Sequence, residues 1–494
     1  MKVQRIMEQL AIQCFIIFIS QQLHFTSFNK YNQFITTMYF VGYLCIEMDE
    51  REKKYVKMTT EPVRKLVLGF AIPAIVCMLM TSFYNMADTY FVSRINTQSV
   101  AAVGIVFSYM GIIQAISFCF GHGSGNFISR ALGARNSQDA ETMASTGLIS
   151  ALITTSCIAL ICFAFRTTVL RAFGATESIL PYAGRYFYYI LAGTPFISGS
   201  IVLNNQMRLQ GNAQLSMVGI LSGGILNVAL DPLFIFTFGM GIAGAGLATA
   251  ISQMLCFSLM IHICGKKGGI SIRRSKFAPS LRIYKEIAAG GVPSLIRQGL
   301  MFLSLICLNN SAARFGDSAV AAFSVVSRIM AIAAALLIGF GQGFQPVCGF
   351  NYGARKFDRL RSALKFTTVT ATIYSASFGI AAFFAAGWIV SFFCGDDAGL
   401  LAIGIRALRF QSATFPLCGI IIITNMFFQN IRKTVPAVVV AAARQGIFFI
   451  PAILLGTLWF GIDGLTASQS VSDLCAFLLC LPMLVNEWRR IGKE

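Results

Sequence analysis

Phe120-Gly121-His122-Gly123 and Gly133-Ala134-Arg135 return 220 positions later as Phe340-Gly341-Gln342-Gly343 and Gly353-Ala354-Arg355. Around these markers residues 69–140 match the later segment without a gap: Pro73 faces Pro293, Arg94 faces Arg314, and Val100-Ala101-Ala102 faces Val320-Ala321-Ala322. Arg185, Pro195 and Asn204 then face Arg406, Pro416 and Asn425 at an offset of 221, and Gly241-Ile242-Ala243-Gly244 faces Gly461-Ile462-Asp463-Gly464 at 220 again. Solenoid units run to about 20–50 residues. A period this long is instead the scale on which secondary transporters duplicate half of themselves.

The 494 residues are 56% hydrophobic and only 12% charged, with a mean hydropathy of +0.70, which leaves too little polar surface to cover a soluble globule. Apolar runs long enough to cross about 30 Å of hydrocarbon fall near 66–93, 99–127, 142–165, 181–207, 214–238 and 242–264. They recur near 286–313, 319–349, 364–393, 399–429, 435–460 and 464–485. The expected fold is an all-α polytopic membrane protein of about twelve transmembrane helices in two six-helix lobes. Six spans is an even number, so both copies enter the membrane the same way. They are parallel repeats about an axis along the membrane normal, with a substrate path expected between them.

The expected divisions are an N-lobe at 58–264, a basic, breaker-rich cytoplasmic linker at 265–285 and a C-lobe at 286–494. Residues 1–57 lie outside the repeat, and their apolar runs are too short to span. They are read as an N-terminal extension, non-native or disordered, the alternative being an interfacial helix.

The formal charge of +19 sorts by loop. Arg130, Arg135, Arg208, Lys266, Lys267, Arg355, Lys356, Arg432, Lys433, Arg489 and Arg490 occupy one set of loops, and the other set holds little besides Arg94, Arg166, Arg171 and Arg314. By the positive-inside rule the rich set is cytoplasmic, with the start of the first repeat helix and the C-terminus on that side. The basic excess is therefore topology, and nucleic acid is not an expected partner. The 14 cysteines show no C-x-x-C, and the 3 histidines are scattered, so neither a disulfide framework nor a zinc site is expected. Nothing in the sequence suggests a catalytic triad, and no enzyme activity or cofactor is expected.

An ionisable side chain within a span costs about 2.5–3.5 kcal/mol on insertion scales, so each requires a reason. Asp88 lies about six residues before the outer end of the first repeat helix, and Asp231 a similar number before the outer end of the fifth, at comparable depth. Asn227 lies on the face of Asp231 one turn deeper, and Thr249 enters the sixth helix at a similar level. Carboxylate, amide and hydroxyl oxygens together form a hard cage suited to Na+ or to a shared proton. Desolvation and mutual repulsion both favour the protonated form. The competing reading is that each aspartate only caps or hydrogen-bonds a kinked helix beside Pro232. In the second copy Asp88 corresponds to Leu308, the charges expected to be buried are Arg297, Arg328 and Arg444, and Asp473 is the acid that could partner them. Either those arginines pair with Asp473 and helix carbonyls, or they face the central cavity with Gln298 and bind anionic groups. Pro73, within the first helix, removes a backbone hydrogen bond and makes a natural hinge.

Tyr84-Asn-Met-Ala-Asp88-Thr, Asn227-Val-Ala-Leu-Asp231-Pro232, and Gly341-Gln-Gly-Phe-Gln-Pro346 with Asn351-Tyr-Gly-Ala354, on a duplicated twelve-span frame, resemble the multidrug and toxic compound extrusion (MATE) family on its bacterial, DinF-like and MepA-like side. The resemblance covers residue 62 onward. It implies a V-shaped pair of lobes performing cation-coupled drug efflux by alternating access. It also implies a first-lobe cation site at Asp88, Asn227, Asp231 and Thr249, with Asn204 in the surrounding network, and a first helix that bends at Pro73 when the aspartates protonate. The expectation is a monomeric antiporter of the bacterial cytoplasmic membrane that exports amphipathic, cationic organic compounds against H+ or Na+. The alternative is a flippase or exporter of an anionic, lipid-linked substrate.

Overall fold

The structure, a computed structural model, describes residues 50–266, 268–394 and 398–492. The chain divides into a unit of residues 1–54 and a unit of residues 55–494, and the second holds the fold described below. The reading of residues 1–57 falls largely outside the described residues.

In the first lobe the spans are α1 Val63–Ser93, α2 Thr97–Gly133, α3 Ser137–Ala164, α4 Leu180–Leu209, α5 Ala213–Pro232 and α6 Ile242–Ile263. The second lobe has α7 Leu281–Ala313, α8 Asp317–Gly353, α9 Phe357–Phe384 and α10 Ala398–Asn430. Next comes α11, which starts as Thr434–Ala442, and a run Phe449–Ile491 completes α11 and forms α12. By length and hydropathy eleven runs among the described residues can cross a bilayer, the last of them being Thr434–Ile491. Gly461, at φ 59 and ψ −133, breaks that run into two spans, giving twelve. Gly241, its counterpart between α5 and α6, has φ 58 and ψ −135. Only a residue without Cβ enters this region readily, so the same corner is built twice. Arg135 and Arg355, at φ 59 and 55, repeat a second shared turn. The duplication read in the sequence is thus present in the backbone.

α7 begins at Leu281, capped by the Ser280 side chain accepting from the Ile283 N–H, so 281–285 are helix rather than linker. The linker is pinned to the first lobe. The Ile270 N–H donates to Gln210 Oε1 at 2.9 Å, and the Arg273 N–H to Ser145 Oγ at 3.1 Å.

The lobes meet where α1 packs on α8 and α2 on α7. Glycines allow backbones to touch in the half of the bundle nearest the basic loops, here called the basic end. A Cβ on Gly343 would fall 2.5 Å from Ala71 Cα, one on Gly339 2.8 Å from Ile75 Cα, and one on Gly291 2.7 Å from the Cys119 carbonyl carbon. Such contacts suit membrane helices, whose association relies on close van der Waals packing. At the same end Glu286 of α7 holds Arg130 of α2 at 3.5 Å and Arg432 at 2.5 Å. Buried Arg208 of α4 donates to Gln345 Oε1 at 2.6 Å and to the Gln342 carbonyl at 3.0 Å, both on α8. The resulting V is closed at the basic end. Towards the far end of α1, Phe83, Met86 and Tyr90 are exposed.

Candidate functional site

The first-lobe site is made by missing side chains. At Gly224 on α5 a Cβ would lie 2.7 Å from Met80 Cε and 3.5 Å from Tyr84 Cδ1 of α1, and at Gly223 a Cβ would lie 2.9 Å from Cys256 Cβ of α6. The glycine pair therefore seats α5 hard against both neighbours. One turn beyond Tyr84 on α1 is Asp88, and beyond the glycines on α5 are Asn227 and Asp231. Gly246 on α6 does the same for α4, since its Cβ would stand 3.0 Å from the Tyr186 carbonyl oxygen.

Four helices thus converge. Asn227, Asp231 and Thr249 are buried, and Asn227 Nδ2 donates to Thr249 Oγ1 at 3.4 Å. Asp88 and Asp231 lie near each other, and Tyr186 of α4 lies near both and near Thr249. Asp88 Oδ1, Asn227 Oδ1 and both Asp231 carboxylate oxygens are buried with no hydrogen-bond partner. A buried acceptor left unpaired costs about 1–3 kcal/mol, more if charged. Four such acceptors in one cluster therefore form a site suited to a proton or a hard cation. α5 is also broken here. Pro232 follows Asp231 directly and Leu233–Thr237 form a π-helical turn, an irregularity frequent at functional sites.

Asn204 is not among these groups. Its Nδ2 donates to Ser216 Oγ at 2.6 Å at the basic end, and Ser216 precedes Asp231 by about four turns, roughly 22 Å along α5. The counterpart Asn425 donates to the Ala437 carbonyl at 2.7 Å, so in both lobes this asparagine staples the fourth helix of the repeat to the fifth. Pro73 lies within an unbroken α1, between the Ala71 and Ile75 contacts with α8.

A cavity of about 420 Å³ lies between the lobes, lined mainly by α7, α8 and α10–α12, with Phe107, Gln114 and His122 contributed by α2. Arg297, Gln298 and Arg444 line it. Arg328 does not, contrary to expectation. On α8 the cavity stripe runs Ser327, Ala331, Ala334, Ile338, and Arg328 is turned about 100° from it and is exposed. Arg444 both lines the cavity and pairs inside its lobe. Its Nε donates to Asp473 Oδ1 at 2.8 Å, Gln469 Nε2 donates to the same oxygen at 2.9 Å, and Cys418 Sγ donates to Oδ2 at 3.4 Å. Arg444 sits in a π-helical turn, Ala443–Ile447, and the neighbouring Gln445 carbonyl accepts from Ser304 Oγ of α7.

Sequence reasoning missed Tyr186 and the amides Gln342, Gln345, Gln411, Gln429 and Gln469 of the cavity wall. They carry no charge, so the burial cost that singles out ionisable groups does not mark them. A count of amides within spans would have found the glutamines, and Tyr186, which stands where the second copy has Ala407, was visible as a departure from the repeat.

The MatE family model matches residues 73–233 and 293–455, one stretch in each lobe. The chain is similar to the multidrug export protein MepA of Staphylococcus haemolyticus, 25% identical over 417 residues covering 84% of this chain and 92% of the relative. It is also 24% identical to MepA of Staphylococcus aureus N315 over 423 residues, covering 85% and 93%. Among solved structures, a MATE protein in complex with MaL6 has a TM-score of 0.83 to it at 25% identity, covering 89% of this chain and 99% of that one. A multidrug resistance MATE family transporter in an outward-facing conformation has a TM-score of 0.82 at the same identity and coverage.

Proposed function

The chain belongs to the multidrug and toxic compound extrusion (MATE) family, and from that membership we propose that it is a multidrug efflux antiporter that spends an inward H+ or Na+ gradient on the export of amphipathic organic compounds. The basic end is assigned to the cytoplasm by its loop charges, so the V opens outward. One observation carries the coupling assignment: the four unpartnered oxygens of Asp88, Asn227 and Asp231. A cation there relieves the repulsion between α1 and α5, whereas without it the two carboxylates push their helices apart.

Neither Asp88 nor Asp231 lines the cavity, so ion and substrate do not compete for the same atoms. α1 is the connection. Asp88 is near its far end, while Pro73 and its neighbours rest on Gly339 and Gly343 of α8. A change of ion occupancy that bends α1 at the proline alters the seam between the lobes. The ion does work only because it binds one arrangement better than the other.

Dye export from vesicles under separately imposed pH and sodium gradients tests this reading. Asp88→Asn is expected to abolish gradient-driven export while the protein still folds and inserts, and undiminished export by that variant would remove the site assignment.

A further inference from the structure

The three second-lobe arginines expected to be buried, Arg297, Arg328 and Arg444, are resolved by the structure into three different situations. Arg328 faces away from the cavity. Arg444 is neutralised by Asp473, 2.8 Å away. Arg297 lines the cavity from the middle of α7, and no acidic partner reaches it among the described residues. Asp473 is the only acid in the described lining and is already saturated by three donors. The acids of the first lobe lie outside the cavity. The wall therefore carries an uncompensated positive charge, and the same cavity is lined by the amides of Gln298 and Gln469 and the apolar side chains of Met301, Phe302, Leu305 and Phe323.

We infer that this cavity takes an amphipathic compound bearing an anionic group, a carboxylate, sulfonate or phosphate seated on Arg297, with its aromatic or aliphatic body against Phe302 and Phe323. The inference rests on the export reading and replaces the expected cationic substrate. A guanidinium binds such an oxyanion through two parallel N–H donors, which fixes orientation as well as charge. At about 420 Å³ the cavity lies within the usual range of about 300–1,000 Å³ for drug-sized ligands, so a single compact amphiphile fits better than a lipid-linked oligosaccharide.

The test is equilibrium binding, which requires no transport and so fails independently of the antiport reading. The full chain in neutral-lipid nanodiscs is titrated by fluorescence anisotropy with fluorescein and with a rhodamine methyl ester, an anionic and a cationic dye on one xanthene scaffold. Fluorescein is expected to bind more tightly, and Arg297→Gln to weaken it by about tenfold or more without weakening the rhodamine ester. Arg297→Lys should recover part of the loss, and Arg328→Gln, outside the cavity, should match the unsubstituted protein. Repeating the titration in phosphatidylglycerol nanodiscs separates two sources of the same anion. Unchanged fluorescein affinity supports a soluble amphiphile, and weakened affinity that Arg297→Gln no longer shows supports an anionic lipid headgroup in the same seat. Tighter binding of the rhodamine ester, or a fluorescein affinity indifferent to Arg297→Gln, would overturn the inference.

Discussion

In the first lobe Asp88 and Asp231 present buried oxygens that no side chain satisfies, whereas in the second both oxygens of Asp473 are taken by Arg444, Gln469 and Cys418. The fifth helix of each lobe is interrupted by a π-helical turn next to its charged residue, Leu233–Thr237 after Asp231 and Ala443–Ile447 around Arg444, although at the repeat offset of 220 the two turns fall at different levels of the helix. What differs is the cation. The second lobe has Leu308 where the first has Asp88, Gln469 where it has Thr249, and no acid anywhere in α11, so the one buried carboxylate among its described residues, Asp473, carries a fixed counter-ion, Arg444. In the proposed reading the first lobe takes a mobile one, so that ion-dependent change would be confined to one half of a twinned architecture while the Arg444–Asp473 pair holds the charge of the other.

Four substitutions probe this contrast, beginning with the largest expected loss of stability. Arg444→Gln strands Asp473, which is buried, and breaking such a pair costs about 3–5 kcal/mol. Thermal unfolding in detergent should show a large drop, most of it recovered in the Arg444→Gln, Asp473→Asn double variant. An Arg444→Gln protein as stable as the original would mean that the second lobe does not depend on its internal counter-ion. Gly343→Ala places a methyl 2.5 Å from Ala71 Cα, where backbone must yield, at about 1–3 kcal/mol. Spin labels on the α2–α3 and α8–α9 loops should report a wider and more heterogeneous basic end, and an unchanged distance distribution would contradict the tight seam. Asn204→Ala removes one side-chain hydrogen bond, worth about 1 kcal/mol, and Asn425→Ala removes two, to the Ala437 carbonyl and from Gln429. Both should lower the melting temperature slightly, and Asn204→Ala should leave ion-driven export intact; a selective loss of export in Asn204→Ala would put that residue back into the ion site.

The fold was legible because the repeat dictates every helix twice. Gaps in one copy are filled by the other, and paired signals such as Gly241 and Gly461 mark the same corner. Asp88, Asn227, Asp231 and Thr249 were legible as a group because depth along a helix follows from residue count at about 1.5 Å per residue. Rotation was harder. The face of α8 that turns to the cavity depends on where α1 and α7 pack, so Arg328 stood as a candidate for the cavity although Ser327 occupies the position that faces it. The charge of the cavity was harder still, because it depends on whether Arg444 reaches Asp473 across 29 residues of sequence. Asn204 entered through family resemblance, and its level at the basic end of α4, computable from the same rise per residue, already pointed away from the aspartates.

Cation uptake by the purified protein tests the division of labour between the lobes most directly. Proton uptake and radiolabelled sodium binding are to be measured at equilibrium for the unsubstituted chain, Asp231→Asn and Asp473→Asn. Uptake of H+ or Na+ should be present in the first and in Asp473→Asn, and lost in Asp231→Asn. Uptake that survives Asp231→Asn unchanged would contradict the placement of the mobile ion between Asp88 and Asp231.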